Sequence, residues 1–576
     1  MNHHPPDLHP SPSTGEGREW RTALLFSCVL LLIVLNALHQ YLGAGRDDVF
    51  ITLWAGKTLG TAPWFINYNG ELQEISSSIL GALTAKLAYL CCADTYYLAN
   101  KLFGAVAALA TLAVIWLQRR AFFDYPFPSA CAIAAIALLG FNPSFAYWSL
   151  GGLETPYYAL LILLYAALAI WLVSNQESSL FFISLVQILV LLCRPEGFWL
   201  IGVTMTLLAF YWPELHRRQR ILLGAILPPL LALIALFALR YALTGALFPN
   251  PVYAKVSVRH LGGLQEGWNY LTGFYTTGLA GLLFGSATVS AAALIGYAAI
   301  QRFLPSAGQA TRLLDKSWLV PALGICAYEV FIVLVKGDWM EYHRFLAPTL
   351  ALKAVLLIQI GATGLALTPK SARRWAAIAA TLVLLLAVIA EWRYRSPQDC
   401  STRLSRETLV RFFDHPNDAT IALNCAHQRD GYAIRPFIDR ELSGYLAQQG
   451  HLTIVTYQGG YFPYFLREQF SPRDITLVDT TGLLNLEIAR VEGEKIPTGN
   501  KYLDDIPAIL SGGVPGLSEK VSRYNPNMIY LLGDSDADQV RLKAIGFERI
   551  HQAPGGVIYL KTGGSVHPLH ISGQSR

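Results

Sequence analysis

The chain has few charged residues for its length. Of its 576 residues, 14% are Asp, Glu, Lys or Arg, whereas water-soluble globular proteins carry about 25%. Apolar residues make up 53% of the chain, and the mean hydropathy is +0.38. This shortage of charge excludes an ordinary water-soluble protein and indicates a polytopic membrane protein.

Several sequence signals are missing as well. The chain has no nucleotide-binding loop, no zinc-type pair among its eight cysteines and no long internal repeat. These absences argue against a nucleotide-driven enzyme, and we expect no nucleic-acid partner. We expect no cleavable signal peptide, because the apolar run from Thr22 is too long and lacks a small-residue cleavage site.

Long apolar runs fill the first two thirds of the chain. Runs of about 17 to 25 residues match the roughly 30 Å of hydrocarbon that a transmembrane helix must cross. They predict a polytopic all-α membrane bundle of about eleven transmembrane helices: residues 22–42, 96–117, 129–149, 153–173, 179–194, 196–212, 221–241, 275–299, 318–335, 344–367 and 375–392. The fifth and sixth are short and meet at Pro195, so they are either two short spans or one re-entrant pair.

The Lys and Arg residues orient this bundle, since they concentrate in short cytoplasmic loops. They fall on one side of the eleven-span arrangement: Arg18, Arg21, Arg119, Arg120, Arg217, Arg218, Arg220, Arg302, Arg312, Lys316, Lys370, Arg373 and Arg374. That side is predicted to be cytoplasmic. Residues 75–93 would invert the asymmetry if they crossed the membrane, so we interpret them as a helix along the outer surface. A true span is the alternative.

The sequence changes character toward its C-terminus. Residues 393–576 are richer in charge and alternate short β-rich runs with helix-like stretches, which predicts an external α/β domain. The other regions are a disordered cytoplasmic tail (1–21) and a transmembrane catalytic domain (22–392). An external location would permit a disulfide between Cys400 and Cys425, and two free thiols are the alternative.

The connections on the predicted outer side hold most of the unusual polar sequence. They read GRDDVF (45–50), GGLETP (151–156), CRPEG (193–197), FPNPVYAK (248–255) and KGDWMEYHRFLAP (336–348). Ionisable groups close to hydrocarbon cost several kcal/mol unless they are paired or hydrated. Their concentration on one face therefore predicts a shared polar cavity, which is the candidate active site.

These features together resemble the GT-C class of glycosyltransferases, which take sugars from polyprenyl-phosphate carriers. The stretches DDVFITLWAGKTLG, NGELQEISSS, GLETPYYALL, RPEG, PNPVYAK, GDWMEYHRFLAP and VDTTGLLNLEIAR are similar to a bacterial family of terminal β-(1,2)-arabinofuranosyltransferases and type IV pilin arabinosyltransferases. The likeness covers most of residues 40–490. Relatives read something like VEGYSSPLW where residues 72–80 read LQEISSSIL, and this difference bears on the sugar more than on the reaction class.

The resemblance implies an inverting enzyme of the bacterial inner membrane with a periplasmic C-terminal domain. It would move a sugar, such as arabinofuranose, from a polyprenyl-phosphate donor to a cell-envelope glycan or a glycoprotein such as a pilin. This transfer needs a base for the acceptor hydroxyl and cations for the leaving phosphate. Asp47 and Asp48 are the candidate catalytic pair, one as the general base and the other orienting the acceptor or a cation. A helix N-cap with a solvated neighbour is the alternative.

Four cations are candidates for binding the donor phosphate: Arg194, Lys255, His343 and Arg344. Each is otherwise an interfacial anchor. The candidates for the acceptor site are Glu154, Glu196, Asp338, Trp339 and Tyr342. Structural ion pairing is the alternative for the acids, and interfacial packing is the alternative for the two aromatic residues. The chain shows no metal-ligand pattern, but a divalent cation near the paired aspartates would suit carboxylates and phosphate.

Other functions are compatible with a charged outer cavity. A transporter or flippase of lipid-linked sugars would bind the same cargo without breaking a bond, and a scaffold for envelope assembly would bind partners only. Transporters commonly show repeated halves and polar residues near the bilayer midplane, whereas the polar residues here cluster at one face. We therefore favour the enzyme. Transfer of a different lipid-linked sugar to lipopolysaccharide is an alternative within the same class.

Overall fold

The computed structural model describes most of the chain. The described residues are 13–42, 45–123, 127–174, 179–213, 215–255, 262–303, 315–338, 340–394, 434–491, 502–553 and 556–562. Trp339, Cys400 and Cys425 lie outside these residues, and so does the side chain of Lys255.

The N-terminal two thirds of the chain are helical. The helices are α1 (Ser13–Tyr41), α2 (Asp48–Thr58), α3 (Ile79–Cys91), α4 (Tyr96–Leu117), α5 (Arg119–Phe122), α6 (Pro128–Gly140), α7 (Pro143–Leu150), α8 (Thr155–Val173), α9 (Ser179–Cys193), α10 (Trp199–Tyr211), α11 (Arg218–Ile221), α12 (Leu227–Thr244), α13 (Asn250–Lys255), α14 (Gly262–Tyr275), α15 (Gly278–Phe303), α16 (Lys316–Leu334), α17 (Leu350–Leu367) and α18 (Lys370–Arg393). Short 3-10 segments, Pro195–Phe198 and Glu341–Thr349, precede α10 and α17, and a π-helical turn, Leu222–Ile226, joins α11 to α12.

Within the described residues, eight helices are long and apolar enough to cross a membrane. They are Trp20–Tyr41, Tyr96–Leu117, Thr155–Val173, Arg218–Thr244, Gly278–Arg302, Lys316–Leu334, Glu341–Leu367 and Lys370–Arg393. The pair α6 and α7 makes a ninth span if a helix bent by 68° is counted. Helices α9 and α10 have 15 and 13 residues. The polytopic all-α bundle is confirmed, while the exact number of eleven spans is not.

The bend between α6 and α7 has a local cause. Asn142 caps α7, because its side-chain oxygen accepts a hydrogen bond from the N–H of Phe145 at 3.2 Å. Pro143 follows at the first position of the new helix, where its missing N–H removes no helical hydrogen bond. A fresh helix start therefore divides the run 129–149, which the sequence predicts to be one span.

Two short helices follow the first span. Helix α3 has 13 residues and is capped by Ser78, whose hydroxyl oxygen accepts a hydrogen bond from the N–H of Gly81 at 2.8 Å. At 1.5 Å per residue it is about 20 Å long, which is shorter than the hydrocarbon layer. This length fits the interpretation of residues 75–93 as a surface helix. Helix α2 packs on α3 where Gly56 leaves no room for a side chain against Ala85.

The C-terminal region is an α/β domain, as predicted. Its elements are α19 (Arg435–Arg440), α20 (Leu442–Gln449), β1 (Leu452–Thr456), α21 (Tyr461–Gln469), β2 (Ile475–Asp479), α22 (Leu486–Ala489), α23 (Tyr502–Leu510), α24 (Pro515–Ser522), β3 (Met528–Leu531), α25 (Asp536–Ala544), β4 (Phe547–Ala553) and β5 (Gly556–Lys561). The sheet has the order β2-β1-β3-β5-β4. Strands β2, β1 and β3 run parallel, and β5 pairs antiparallel with β3 and β4.

The segment between α1 and α4, which the sequence predicts to be the first outer loop, lies against this C-terminal domain. The side chain of Asn69 makes two hydrogen bonds of 2.8 Å with the main chain of Leu477 and so covers the outer edge of β2. Arg467 donates hydrogen bonds to the carbonyl oxygen of Tyr68 and to Ile475. One buried apolar cluster contains residues of both parts, including Phe50. The loop that carries the paired aspartates is therefore held between the bundle and the C-terminal domain.

Candidate functional site

Arg194 forms the centre of a buried ion-pair network at the turn between α9 and α10. Its Nη1 lies 2.5 Å from Oε1 of Glu154, which directly precedes α8, and its Nε pairs with Glu196. All three side chains are less than a tenth exposed. Because Glu154 and Glu196 come from different elements, they fix the plane of the guanidinium group.

The 3-10 segment Glu341–Thr349 adds a second arginine. Nε of Arg344 donates a hydrogen bond of 2.7 Å to Oδ2 of Asp338. The guanidinium groups of Arg344 and Arg194 both lie over the ring of Phe345, at 5.4 and 4.8 Å from its centroid. The ring therefore holds the two predicted phosphate-binding arginines close to one another.

Arg46 provides a third cation, directly before the paired aspartates. It pairs with Glu341, whose carbonyl oxygen accepts a hydrogen bond of 3.0 Å from Nε1 of Trp148. Arg46 also interacts electrostatically with Asp47, Asp48 and Asp338. This pairing joins the first outer loop to the segment that carries Arg344.

Long-range electrostatics connect these groups into one cluster. Arg344 interacts with Asp338, Glu154, Arg194 and Asp48. The structure thus brings together seven of the residues predicted from the sequence: Asp47, Asp48, Glu154, Arg194, Glu196, Asp338 and Arg344. We call these residues, with Arg46 and Glu341, the charged cluster. Its carboxylates outnumber its arginines, and the arginines described above each have a carboxylate partner.

Asp47 accepts hydrogen bonds from two main-chain N–H groups of the C-terminal domain. Its Oδ2 accepts a hydrogen bond from the N–H of Gly460 at 3.0 Å, and its Oδ1 accepts one from the N–H of Tyr461 at 2.7 Å. Burial raises the pKa of Asp47 to about 7, against the lowering effect of the two N–H groups. The negative charge of Asp48 raises it further, and Arg46 lowers it. Asp47 therefore belongs both to the charged cluster and to the boundary with the C-terminal domain.

Tyr342 and His343 occupy a different environment from Arg344. Both have a φ angle of 50°, in the left-handed region that costs roughly 1–2 kcal/mol for a residue with a side chain. The ring of Tyr342 packs on Tyr41 and Tyr147. The ring of His343 contacts Tyr270 and Phe274, and it lines a small cavity with Asn142 and Glu391. These two side chains are held by aromatic packing.

Two predicted residues lie where no contact can be assigned. Lys255 ends α13, and its side chain is outside the described residues. Trp339 is outside them entirely. Among the residues that are described, no group of three or more His, Cys, Asp and Glu side chains is arranged to hold a metal ion.

Sequence reasoning missed several members of the site. Arg46 and Glu341 stand within the quoted motifs GRDDVF and KGDWMEYHRFLAP, yet they were not singled out. Gly460 and Tyr461 lie in the C-terminal domain, and no motif marks them. Two further buried ion pairs were also not foreseen. Arg240 binds Glu74 through hydrogen bonds of 2.7 and 2.8 Å, and Lys353 lies 2.6 Å from Glu329.

Comparisons with known proteins connect this architecture to solved structures. No protein-family model and no curated protein matches the sequence. ArnT from Cupriavidus metallidurans bound to undecaprenyl phosphate aligns over 94% of this chain and 98% of its own, with 14% identity and a TM-score of 0.53. The archaeal oligosaccharyltransferase AglB from Archaeoglobus fulgidus aligns over 96% of this chain and 76% of its own, with 12% identity and a TM-score of 0.49.

The arabinofuranosyltransferase AftD from Mycobacteria gives a similar result. It has 13% identity and a TM-score of 0.48, and the alignment covers 95% of this chain and 40% of AftD. The ArnT alignment covers almost the whole of both chains, so the GT-C fold predicted from the sequence is confirmed. At 14% identity this likeness concerns the fold.

Proposed function

We propose that this protein is a membrane glycosyltransferase that takes a sugar from a polyprenyl-phosphate donor. The observation that carries the proposal is the charged cluster, which combines paired carboxylates with buried arginines inside the GT-C fold. ArnT, which has this fold, was solved with undecaprenyl phosphate bound. That ligand is the chemical class of leaving group that the arginines would bind here.

The proposed reaction is a single displacement at the anomeric carbon. A carboxylate of Asp47 or Asp48 takes the proton of the acceptor hydroxyl, and the acceptor oxygen bonds to the anomeric carbon. The bond between that carbon and the phosphate oxygen breaks, and its electron pair leaves with polyprenyl phosphate. Attack on the face opposite the phosphate inverts the anomeric configuration.

Arg194 and Arg344 are the proposed phosphate-binding residues. A planar guanidinium group binds two phosphate oxygens at once, and burial strengthens that interaction. Glu154, Glu196 and Asp338 would hold the two groups in orientation, because their ion pairs use only part of each fork. Lys255 and His343 remain proposed as further contacts to the donor.

The remaining details are also proposals. The resemblance of the quoted motifs to arabinofuranosyltransferases and pilin arabinosyltransferases supports arabinofuranose as the sugar and an envelope glycan or a pilin as the acceptor, with Trp339 and Tyr342 proposed as sugar contacts. The resemblance favours a protein of the bacterial inner membrane, and the distribution of Lys and Arg favours a cytoplasmic N-terminus and a periplasmic C-terminal domain.

The proposal is tested with the purified protein in lipid nanodiscs. Synthetic decaprenyl-phosphoryl arabinose is supplied with a short arabinan or a pilin peptide, and release of polyprenyl phosphate and the glycosylated product are measured. We expect turnover by the wild type and inverted configuration in the product. Asp48→Asn should lower kcat by about 100- to 10,000-fold, the range for loss of a general base.

Asp536→Asn is the matched control. Asp536 is exposed and occupies the first position of α25, as Asp48 does in α2, so the same change is made far from the charged cluster. We expect wild-type turnover from this variant. Donor binding by the wild type without release of polyprenyl phosphate to any acceptor or to water would refute the enzyme and favour a transporter.

A further inference from the structure

We propose that Asp47 is a positioning residue that locks the C-terminal domain onto the catalytic loop, and that Asp48 is the general base. This inference rests on the proposed function and divides the roles of its two aspartates. It also makes the C-terminal domain part of the active site, because that domain supplies the groups that bind Asp47.

We call the hydrogen bonds between the carboxylate of Asp47 and the main-chain N–H groups of Gly460 and Tyr461 the lock. The two N–H groups lie beyond the end of a parallel strand. The loop of residues 457–460 follows β1 and leads into α21 (Tyr461–Gln469). The N–H groups of Gly460 and Tyr461 both donate to the carboxylate of Asp47, one to each oxygen. In open α/β domains, the carboxyl ends of parallel strands are where ligands bind, and a helix start favours an anion. Here the bound anion is a side chain of the same protein.

At Gly460 the main chain of the C-terminal domain lies directly against Asp47. A Cβ atom on Gly460 would overlap the main-chain and side-chain oxygens of Asp47. An alanine at this position would therefore push the loop away from the aspartate. By contrast, a Cβ atom on Gly533, in the loop after β3, would have open space around it. The two glycines provide a matched pair for substitution.

Tyr68 makes a second connection between α2 and the loop that contains Gly460. Its hydroxyl group is 3.2 Å from the carbonyl oxygen of Gly460 and 3.3 Å from that of Phe50, which lies in the first turn of α2. The side chain is fully buried. It therefore joins the helix that begins at Asp48 to the loop that binds Asp47.

The lock determines the position of Asp48. Asp47 is the N-cap of α2 and Asp48 is its first residue, so any movement of Asp47 moves Asp48 as well. Asp48 interacts electrostatically with Arg46 and Arg344. Fixing Asp47 thus sets the distance between the proposed base and the arginines that would hold the donor phosphate.

Amide hydrogen exchange of the full-length protein in nanodiscs tests the contact itself. In Asp47→Asn, the Gly460 and Tyr461 amides lose a charged acceptor, so a peptide covering these residues should exchange faster than in the wild type. Asp48→Asn should leave that exchange unchanged. Unchanged exchange in Asp47→Asn would overturn the lock, and this measurement does not depend on any substrate.

Kinetics with decaprenyl-phosphoryl arabinose test the division of roles. Asp47→Asn and Gly460→Ala should each lower kcat by about ten- to hundredfold, the cost of a charge-assisted hydrogen bond, with donor KM within about twofold of the wild type. Because both changes break one contact, the double variant should be no slower than the slower single variant. Tyr68→Phe should lower kcat by a few-fold, and Gly533→Ala should match the wild type.

A different pattern of kcat values would assign the general base to Asp47. An inactive Asp47→Asn, combined with wild-type rates for Gly460→Ala and Tyr68→Phe, would make Asp47 the base and overturn the inference. Additive effects of Asp47→Asn and Gly460→Ala on kcat would also overturn the inference, because the two changes would then not act on one contact. A wild type without turnover on any donor would instead refute the proposed function, and the exchange measurement would still decide whether the lock exists.

Discussion

Burial of Asp47 gives the protein a pH dependence of stability. Its pKa is about 7 in the folded protein against an ordinary value of 3.8, so the folded state binds this proton more tightly than the unfolded state. The stability associated with the protonated group is present below about pH 4 and is lost as the pH rises toward 7. Above pH 7 the folded protein therefore carries the cost of a partly buried negative charge at Asp47.

Asp47→Asn removes this titration. We expect the melting temperature of the variant, relative to that of the wild type, to increase between pH 5 and pH 8 in the same detergent. Fluorescence-monitored thermal unfolding of both proteins at several pH values measures the difference. A difference that falls with rising pH would contradict burial as the main cause of the shifted pKa.

At the scale of residues, the sequence predicts which ionisable residues belong to the site. It does not predict which residues they pair with. The candidates Arg194, Glu154 and Asp338 could be chosen because ionisable residues near hydrocarbon need pairing. The pairing of Arg46 with Glu341 spans 295 positions, and that of Asp47 with Gly460 spans 413. No local pattern contains such information, since the partners meet only after the bundle and the domain have folded.

At the scale of elements, the turn between α9 and α10 is held by close packing. Gly197 follows Glu196, and a Cβ atom at this position would lie 2.6 Å from the main-chain oxygen of Val190 in α9. A side chain would force the turn away from α9 and carry Arg194 and Glu196 with it. The glycine therefore supports the geometry of the charged cluster without belonging to it.

Gly197→Ala should accordingly lower both turnover and melting temperature. Gly202→Ala, in the following helix α10, is the control, because a Cβ atom there meets no other atom within 4 Å. We expect it to keep the wild-type activity and to unfold at the same or a higher temperature, since alanine favours a helix over glycine. Equal effects of the two substitutions would mean that helix propensity, and not the contact with Val190, decides the result.

Hydropathy predicts long helices well and interrupted ones less well. The spans from Tyr96, Thr155 and Lys316 match the predicted runs closely, because about twenty apolar residues leave few alternatives in a membrane. The run 129–149 is equally apolar, but Asn142 and Pro143 divide it. A cap residue followed by proline is a signal that could have located this break in advance.

At the scale of the whole molecule, an odd or even number of spans decides whether the two ends of the bundle lie on opposite sides of the membrane. Counting the bent pair α6 and α7 gives nine spans, and counting α9 and α10 as two more gives eleven. Both numbers are odd. For nine or eleven spans we expect the region before α1 and the C-terminal domain to lie on opposite sides of the membrane, whereas eight spans would place them on the same side.

Reporter fusions in a bacterial host test this orientation. Alkaline phosphatase is active only outside the cytoplasm, and green fluorescent protein exported through the general secretory pathway does not fluoresce. We expect an active phosphatase and a dark fluorescent protein when each is fused after Arg576, and the reverse when each is fused after Arg374. Fusion at Arg374 is the control, since it lies at the predicted cytoplasmic end of α18.

The reversed pattern would have a chemical consequence as well. Because Asp47 binds the C-terminal domain directly, the charged cluster must lie on the same side of the membrane as that domain. A cytoplasmic domain would place the cluster where nucleotide-activated sugars are at hand, and a lipid-linked donor would offer no advantage there. An external domain would leave a polyprenyl phosphate as the carrier that brings an activated sugar across the membrane.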